Sequence, residues 1–575
     1  MFHIKDTNGN LLTTECETID RWREHFHLLL NHPPVPPDPH LAEESNNNSI
    51  PNPACRVDPV TEAEVVAAMK KRRNSKAPGI CGITAEMLKA GGATIVQWMT
   101  RIINHIWVLE ELPEDWTRGI ILPFWKHKGE RLQCANYRGI TLLSIPGKLF
   151  TRVLLTRALP AIRSRRRPQQ AGFMPSRSTI DHISALRLTI EKAREFRKDR
   201  RLFIAFVDLK AAFDTVDHGS LWRILKILGA PEKITNLFQC LYGGAESCVR
   251  INSKESDNFA INSGVRQGCV AAPDLFNCVV DYILERVCQQ VPGVDFGKRS
   301  LGDLEYADDA ALIAASIHQV RQALVVFSLE ARKLGLVVNW GKTGLMFVGD
   351  EDGPIPPPLH IDDETIYFVP TFNYLGSLLS YDNKLLPEIN RRRGIAASVL
   401  KSLHRPLWRH QSISQNTKRR IYNSSVVSVL LYGAETWPLN VTLERRLNGF
   451  DSRALRRIEG IHWTDHVPNE ELRARTNQSY ASVLAGQKRL RWFGHLNRLP
   501  PDHPTRIVAD FDPAAAGWRR PRGAPRTRWH DVIAADLRQL GLTIADAEHI
   551  AQDRLQWRRL VHLFGSTLPA SMRIE

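Results

Sequence analysis

Residues 202–207 (LFIAFV) form an unbroken apolar run of strand length, and an aspartate follows at once. Such a run offers no polar face to water, so it fits a strand covered on both sides. Any fold built on it therefore needs a layer above and a layer below. Asp208 at its end is costly unless something positive meets it. A helix follows: Asp217 or Ser220 caps it, Leu221, Ile224, Leu225 and Leu228 give it an apolar stripe, and Gly229 stops it.

Further along lies LGDLEYADDAALIAA, residues 301–315. The stretch ending at Tyr306 and residues 312–315 read as two strands, with Ala307, Asp308 and Asp309 as the tight turn between them. Asp303, Glu305, Asp308 and Asp309 place four carboxylates within seven residues. Adjacent acids repel one another unless cations neutralise them, and a pair of divalent metals does so. Phosphoryl transfer uses such a pair: one ion lowers the pKa of the attacking hydroxyl, the other stabilises the leaving pyrophosphate. Three carboxylates from two neighbouring strands are the minimum to hold both. Each signal has a plainer reading as well. An Asp-Asp turn also marks a solvated loop, and Asp208 alone can cap a helix.

Charge points to a partner. The formal net charge is +16, and phosphates offer the dense negative charge that would offset it. A basic surface that only aids solubility is the alternative. With 43% hydrophobic residues the chain is globular, and 575 residues make room for about three or four domains. The nine cysteines form no CxxC pair, which argues against a zinc knuckle or a disulfide framework and for a reducing compartment. The N-terminus has no apolar signal region, and no run approaches the roughly 18 apolar residues of a membrane span; the nearest, residues 426–431, is far too short. These features predict an intracellular protein of the nucleus or cytoplasm, not a secreted one. Residues 163–167 (RSRRR) read as a nuclear address or as solvated surface.

The chain divides into four stretches. Residues 1–56 hold a helix, with Trp22, Phe26 and Leu29 on one face, and a Pro/Asn-rich linker at 32–53. Residues 57–380 alternate strands and helices, interrupted by a proline-rich loop at 353–358. Residues 381–485 read as mostly helical. Residues 486–575 form a basic extension in which positions 486–529 carry ten Lys and Arg against three acids, with Trp492, Trp518 and Trp529 interleaved. Basic residues among aromatics suit a groove that tracks a nucleic-acid backbone. An amphipathic helix followed by a solvated tail is the alternative.

From about residue 22 to residue 529 the chain resembles the reverse transcriptases of non-long-terminal-repeat (LINE-type) retrotransposons, with motifs in the same order and at fitting spacings. KAPG (76–79) with EMLK (86–89) is similar to the segment ahead of that family's fingers. ILPFWKHKG (121–129) and NYRGITLL (136–143) are similar to the fingers themselves. The resemblance implies that Lys126, Lys128 and Arg138 meet the triphosphate of an incoming nucleotide, for which cations and a bidentate guanidinium are suited. QAGFMPSRST (170–179) resembles the motif that helps seat the template. VDLKAAFDTVDH (207–218) resembles motif A, which makes Asp208 a metal ligand and sets Phe213 under the sugar, where a bulky ring excludes a 2′-hydroxyl. SGVRQGCVAAPDLFN (263–277) resembles motif B: Gly264 and Gly268 allow close backbone approach, Pro273 opens a helix, and Arg266 and Gln267 line template and nucleotide. YADD (306–309) resembles motif C, with Asp308 and Asp309 as the other metal ligands. GLVVNWGKT (335–343) resembles motif D, in which Lys342 protonates the departing pyrophosphate. FNYLG (372–376) resembles the primer-gripping turn, and LYGAETW (431–437) and QKRLRWFGHL (487–496) have counterparts near the family's C-terminal end.

The resemblance implies an α+β right-hand polymerase: fingers and an antiparallel-sheet palm, then a helical thumb and a C-terminal extension. It implies an RNA-directed DNA polymerase that adds deoxynucleotides to a primer 3′-end with two Mg2+ ions, or Mn2+ in their place. The partners it implies are an RNA template, a DNA primer or target and deoxynucleoside triphosphates, held as an A-form-like duplex read by shape. Four positions depart from the usual pattern: Cys81 replaces an aspartate, Met174 an arginine, and Ala271 and Ala272 a leucine and a serine. Such departures leave room for a second reading, a copy that binds nucleic acid without catalysis. A two-metal nuclease would give motif B and Phe213 no role. The family's full-length protein carries an upstream endonuclease; this chain is expected to lack it, and so not to complete insertion into target DNA alone.

Overall fold

A computed structural model describes residues 3–47, 50–196, 201–297, 299–349, 355–514, 518 and 527–565. At its centre lies a four-stranded antiparallel sheet in the order Asp303–Tyr306, Asp309–Ala314, Leu202–Val207, Gly344–Val348. Every residue of Leu202–Val207 is buried, as the apolar run predicts. Its two faces enter different cores. Phe203, Ala205 and Val207 pack with the helices Ala272–Gln290 and Ile317–Lys333, while Leu202, Ile204 and Phe206 pack with the helix Thr179–Phe196 and with helices from beyond residue 480. The C-terminal extension thus supplies part of the palm's second layer. The helix His218–Ile227 is capped by Asp217, whose carboxylate accepts the Ser220 N–H at 2.7 Å; Gly229 follows it at φ +86°.

A second sheet holds the two segments that resemble the fingers, and is called the fingers sheet below. Arg118–Trp125 pairs antiparallel with Tyr137–Leu143 and parallel with Glu246–Ile251. The helix Glu15–Leu30 closes one face of it, burying Trp22 and Phe26 against Ile121, Tyr137 and Val249. The apolar face that carries Trp22 and Phe26 is thus hidden by packing on this sheet. The expected linker at 32–53 is not wholly irregular. It contains the helix Pro39–Asn47, whose Glu44 binds Arg286 and accepts from the Tyr282 hydroxyl at 3.0 Å; its residues 48–49 lie outside the described residues. Of the proline-rich loop at 353–358, positions 355–358 are irregular and the rest lies outside the described residues.

The helices Leu386–Ser402 and Val441–Glu459 share a third core with Tyr422, Leu430 and Trp437. The boundary expected at 485/486 falls inside one helix, Ala481–Leu496. Its first turns (Ala481, Ala485) belong to that third core, and Leu490, Trp492 and Phe493 belong to the palm. Trp492 and Trp529 are therefore not a stacking platform for bases. Both are core residues, their indole N–H groups donating to Ser184 Oγ at 3.1 Å and to the Glu435 carbonyl at 2.9 Å. Trp518 packs on Phe511 with ring centroids 4.8 Å apart; residues 515–517 and 519–526 of the basic stretch lie outside the described residues. All nine cysteines are free thiols. No helix among the described residues is long and apolar enough to cross a membrane.

Candidate active site

The central strand and the hairpin beside it converge on one end of the palm sheet. Ala310 pairs with Val207, which leaves Asp309 and Asp208 as the next residues on their strands. Tyr306 pairs with Asp309, so the hairpin turns over two residues, Ala307 and Asp308, with Ala307 in the left-handed region at φ +59°. Asp309 senses both other aspartates, and Asp308 senses Asp208. Burial, then Asp308 and then Asp208, pushes the Asp309 carboxyl up to about 6. Asp308 opens to solvent at the tip of the turn, yet the protein packed beneath its carboxyl raises its pKa too, with Asp208 adding to the effect.

Asp208 has the positive partner its position demands. One of its oxygens lies 3.2 Å from the Lys342 ammonium and accepts from the Asn339 amide at 3.0 Å. Asn339 also donates its backbone N–H to the Asp208 carbonyl at 2.8 Å. No three Asp, Glu, His or Cys side chains among the described residues gather closely enough, as they stand, to hold an ion. The chemistry of the set nevertheless fits a hard divalent cation: three carboxylates at the end of adjacent strands and on the turn beside them, two of them made harder to ionise chiefly by burial.

Asp303 and Glu305 do not join this cluster. Alternation along the strand turns both into the protein, where Arg167 meets Asp303 at 2.5 Å and Glu305 at 4.0 Å. Arg166 likewise lies within reach of Asp274 and Asp281. Two arginines of the 163–167 run are thus buried ion-pair partners rather than an exposed address.

Cations line the other side of the site. Arg138 sits opposite Phe124 on the fingers sheet, and Lys126 follows the strand Arg118–Trp125. Burial and the nearby charges of Arg138 and Lys342 lower the Lys126 pKa, so these three form one positive field. The Lys126 ammonium donates to the Ala135 carbonyl at 3.0 Å. Lys128 stands exposed on the loop beyond.

Phe213 lies in the turn that follows Asp208. Ala211, at φ +46°, turns the chain into the short helix Ala212–Thr215, and the Phe213 ring stacks on Phe276 at 4.2 Å. The loop that precedes the helix Ala272–Gln290 is laced to this turn. A side chain at Gly264 would meet the Asp214 backbone at 2.6 Å, and one at Gly268 (φ +122°) would meet the Thr141 carbonyl oxygen at 2.3 Å. Gln267 donates to Asp214 at 2.7 Å, and its carbonyl accepts from Thr141 N–H at 2.9 Å. Burial raises the Asp214 carboxyl to about 6. Arg266 does not line the cleft. It is buried and points inward, donating to the Thr117 carbonyl at 2.8 Å, because the end of the short helix Glu114–Thr117 leaves carbonyls unpaired there.

Met174 takes no cationic role itself; the Arg166 guanidinium approaches its sulfur at 3.0 Å. Cys81 lies 3.3 Å from Ser144 Oγ, and Ala271 and Ala272 are buried at the start of the helix Ala272–Gln290. Asn339, Asp214 and Gln170 were missed as functional candidates, although all three lie inside motifs singled out in the sequence.

The family described as "Reverse transcriptase (RNA-dependent DNA polymerase)" matches residues 126–379. The "Transposon TX1 uncharacterized 149 kDa protein" of Xenopus laevis is 25% identical over 63% of this chain and 28% of its own length. The "Probable RNA-directed DNA polymerase from transposon BS" of Drosophila melanogaster is 24% identical over 70% of this chain and 45% of its own. The "Retrovirus-related Pol polyprotein from type-1 retrotransposable element R2" of Popillia japonica is 26% identical over 72% of this chain and 57% of its own. The aligned part of the chain thus spans between 28% and 57% of the length of these relatives.

Proposed function

We propose that this chain is an RNA-directed DNA polymerase of the kind carried by non-long-terminal-repeat retrotransposons, with its active site at the carboxylate end of the palm sheet; the match of residues 126–379 to the reverse transcriptase family supports the reading. The observation that carries the reading is the adjacency of Asp208 and Asp309 across the central strands, with Asp308 on the turn beside them.

Asp208, Asp308 and Asp309 are the residues that would hold two divalent ions. When bound, those ions lower the pKa of the primer 3′-hydroxyl and stabilise the charge on the departing pyrophosphate. The chain's own residues do the rest. Lys126 and Arg138 attract and orient the triphosphate from the fingers side, with Lys128 beyond them. Phe213 and Gln267 bound the nucleotide from below, and the Phe213 ring leaves no space for a 2′-hydroxyl. Gly268 lets the backbone beside Gln267 come close to the fingers. Lys342 moves off Asp208 as the site fills and stands ready to give a proton to the leaving pyrophosphate. The template is RNA, the primer DNA, and the duplex is gripped between palm and thumb.

Primer extension on a poly-A RNA template with labelled deoxythymidine triphosphate and Mg2+ tests the reading. Extension by the parent chain supports it. No extension by folded protein that still binds the hybrid favours the non-catalytic reading instead.

A further inference from the structure

Immediately behind the turn that carries Asp308 lies a buried polar side chain that the proposed chemistry does not use. Gln170 is 1% exposed. Its carbonyl oxygen accepts from Gly172 N–H at 2.7 Å and faces the Ala307 N–H at 3.4 Å, and its amide N–H donates to Glu305. The backbone repeats the connection: Ala171 N–H donates to the Glu305 carbonyl at 2.9 Å, and Glu305 N–H to the Gln169 carbonyl at 3.2 Å. The fit is close, since a side chain at Gly172 would come within 2.3 Å of Ala307 N. Asn277 ties the Gly172 carbonyl to the helix Ala272–Gln290 at 2.7 Å.

A two-residue turn with a non-glycine residue at positive φ is strained and holds its shape only when its surroundings over-determine it. The neutral amide suits that task because it donates and accepts at once without adding charge. A glutamate there would face Glu305, and an apolar residue would leave buried polar groups unpaired.

Building on the polymerase reading, we infer that Gln170 is a positioning residue for nucleotide addition: it locks the Ala307–Asp308 turn to the segment at residues 169–172, so that template seating and the spacing of the carboxylates are set by one rigid unit. Displacing catalytic groups by about 1 Å costs up to roughly a hundredfold in rate, so a loosened turn is read in turnover rather than in affinity.

The test compares the full-length parent with Gln170→Met, which keeps the volume and removes the hydrogen bonds, and with the exchanged pair Gln170→Glu plus Glu305→Gln, which keeps an acceptor at 170 and a donor at 305. In primer extension, Gln170→Met is expected to lower kcat about tenfold or more. KM for deoxythymidine triphosphate and Kd for the RNA–DNA hybrid stay within about twofold, and the exchanged pair recovers most of the loss. Unchanged kcat with a lowered melting temperature overturns the inference and leaves Gln170 a packing residue. Failure of the exchanged pair to recover kcat overturns it as well. If the parent extends no primer, the polymerase reading has failed rather than this one. Hydrogen exchange at residues 305–309 then decides: faster exchange in Gln170→Met supports the lock, and unchanged exchange overturns it.

Discussion

Asn339 holds Asp208 at two points, its backbone N–H on the Asp208 carbonyl at 2.8 Å and its side-chain amide on the carboxylate at 3.0 Å. The same turn brings Lys342 to 3.2 Å from that carboxylate oxygen. The segment after the helix Ile317–Lys333 therefore folds around the end of the central strand and supplies both a neutral and a charged partner to its acid. If Lys342 gives the leaving group its proton, Lys342→Ala lowers kcat by about a hundredfold or more. Steady-state kinetics checks this. A change confined to KM for the nucleotide would assign Lys342 to binding instead.

The Phe213 ring rests on Phe276 at 4.2 Å, and in the proposed site it is the group that excludes a 2′-hydroxyl. Phe213→Val opens space at the sugar while keeping the position apolar. Discrimination between deoxythymidine and uridine triphosphates is expected to fall at least about tenfold, the low end of what steric selection in an apolar pocket provides. Competition between the two nucleotides measures it, and unchanged discrimination would leave Phe213 a core residue only.

Gly268 is required twice over: its backbone stands at φ +122°, which L side chains rarely adopt, and a methyl group there would lie 2.3 Å from the Thr141 carbonyl oxygen. Gly268→Ala is expected to displace Gln267, raise KM for the nucleotide and cost about 1–3 kcal/mol in stability. Gly449 is a useful contrast: it lies in the helix Val441–Glu459 with nothing within 4 Å of an added side chain. Gly449→Ala should stabilise the chain by about 0.5–1 kcal/mol. Urea unfolding of both variants checks the pair of signs.

Glu191 makes stability depend on pH. Burial beneath Trp529 raises its carboxyl from 4.5 to about 7. The folded chain keeps that proton where the unfolded chain has lost it, so this group's contribution falls as pH rises from 4.5 to about 7. Glu191→Gln removes the slope, a difference of up to roughly 3 kcal/mol between the ends of the window. Urea midpoints of parent and variant at both ends measure it, and parallel pH dependence in the two proteins would contradict the assignment.

The central strand, its terminal aspartate and the hairpin turn were legible in the sequence because each rests on a local pattern: an unbroken apolar run, a carboxylate at its end, two acids between strand-like segments. What failed depended on facing. Asp303 and Glu305 counted with Asp308 and Asp309 by spacing, but strand alternation turns them away, toward Arg167. Arg266 is adjacent to Gln267 in sequence yet points to the carbonyls of Trp116 and Thr117. Trp492 and Trp529 looked like a base-stacking surface because composition does not say which face of a helix meets the palm. Gln170 and Asn339 sat in quoted motifs without a role, since what they hold becomes visible only when distant segments meet.

The most direct test of the account is primer extension on poly-A RNA by the parent chain beside a variant carrying both Asp308→Ala and Asp309→Ala. The account predicts Mg2+-dependent extension by the parent and a loss of at least about a thousandfold in the folded, hybrid-binding variant. Equal extension by the two proteins would contradict the assignment of these carboxylates, and with it the proposed active site.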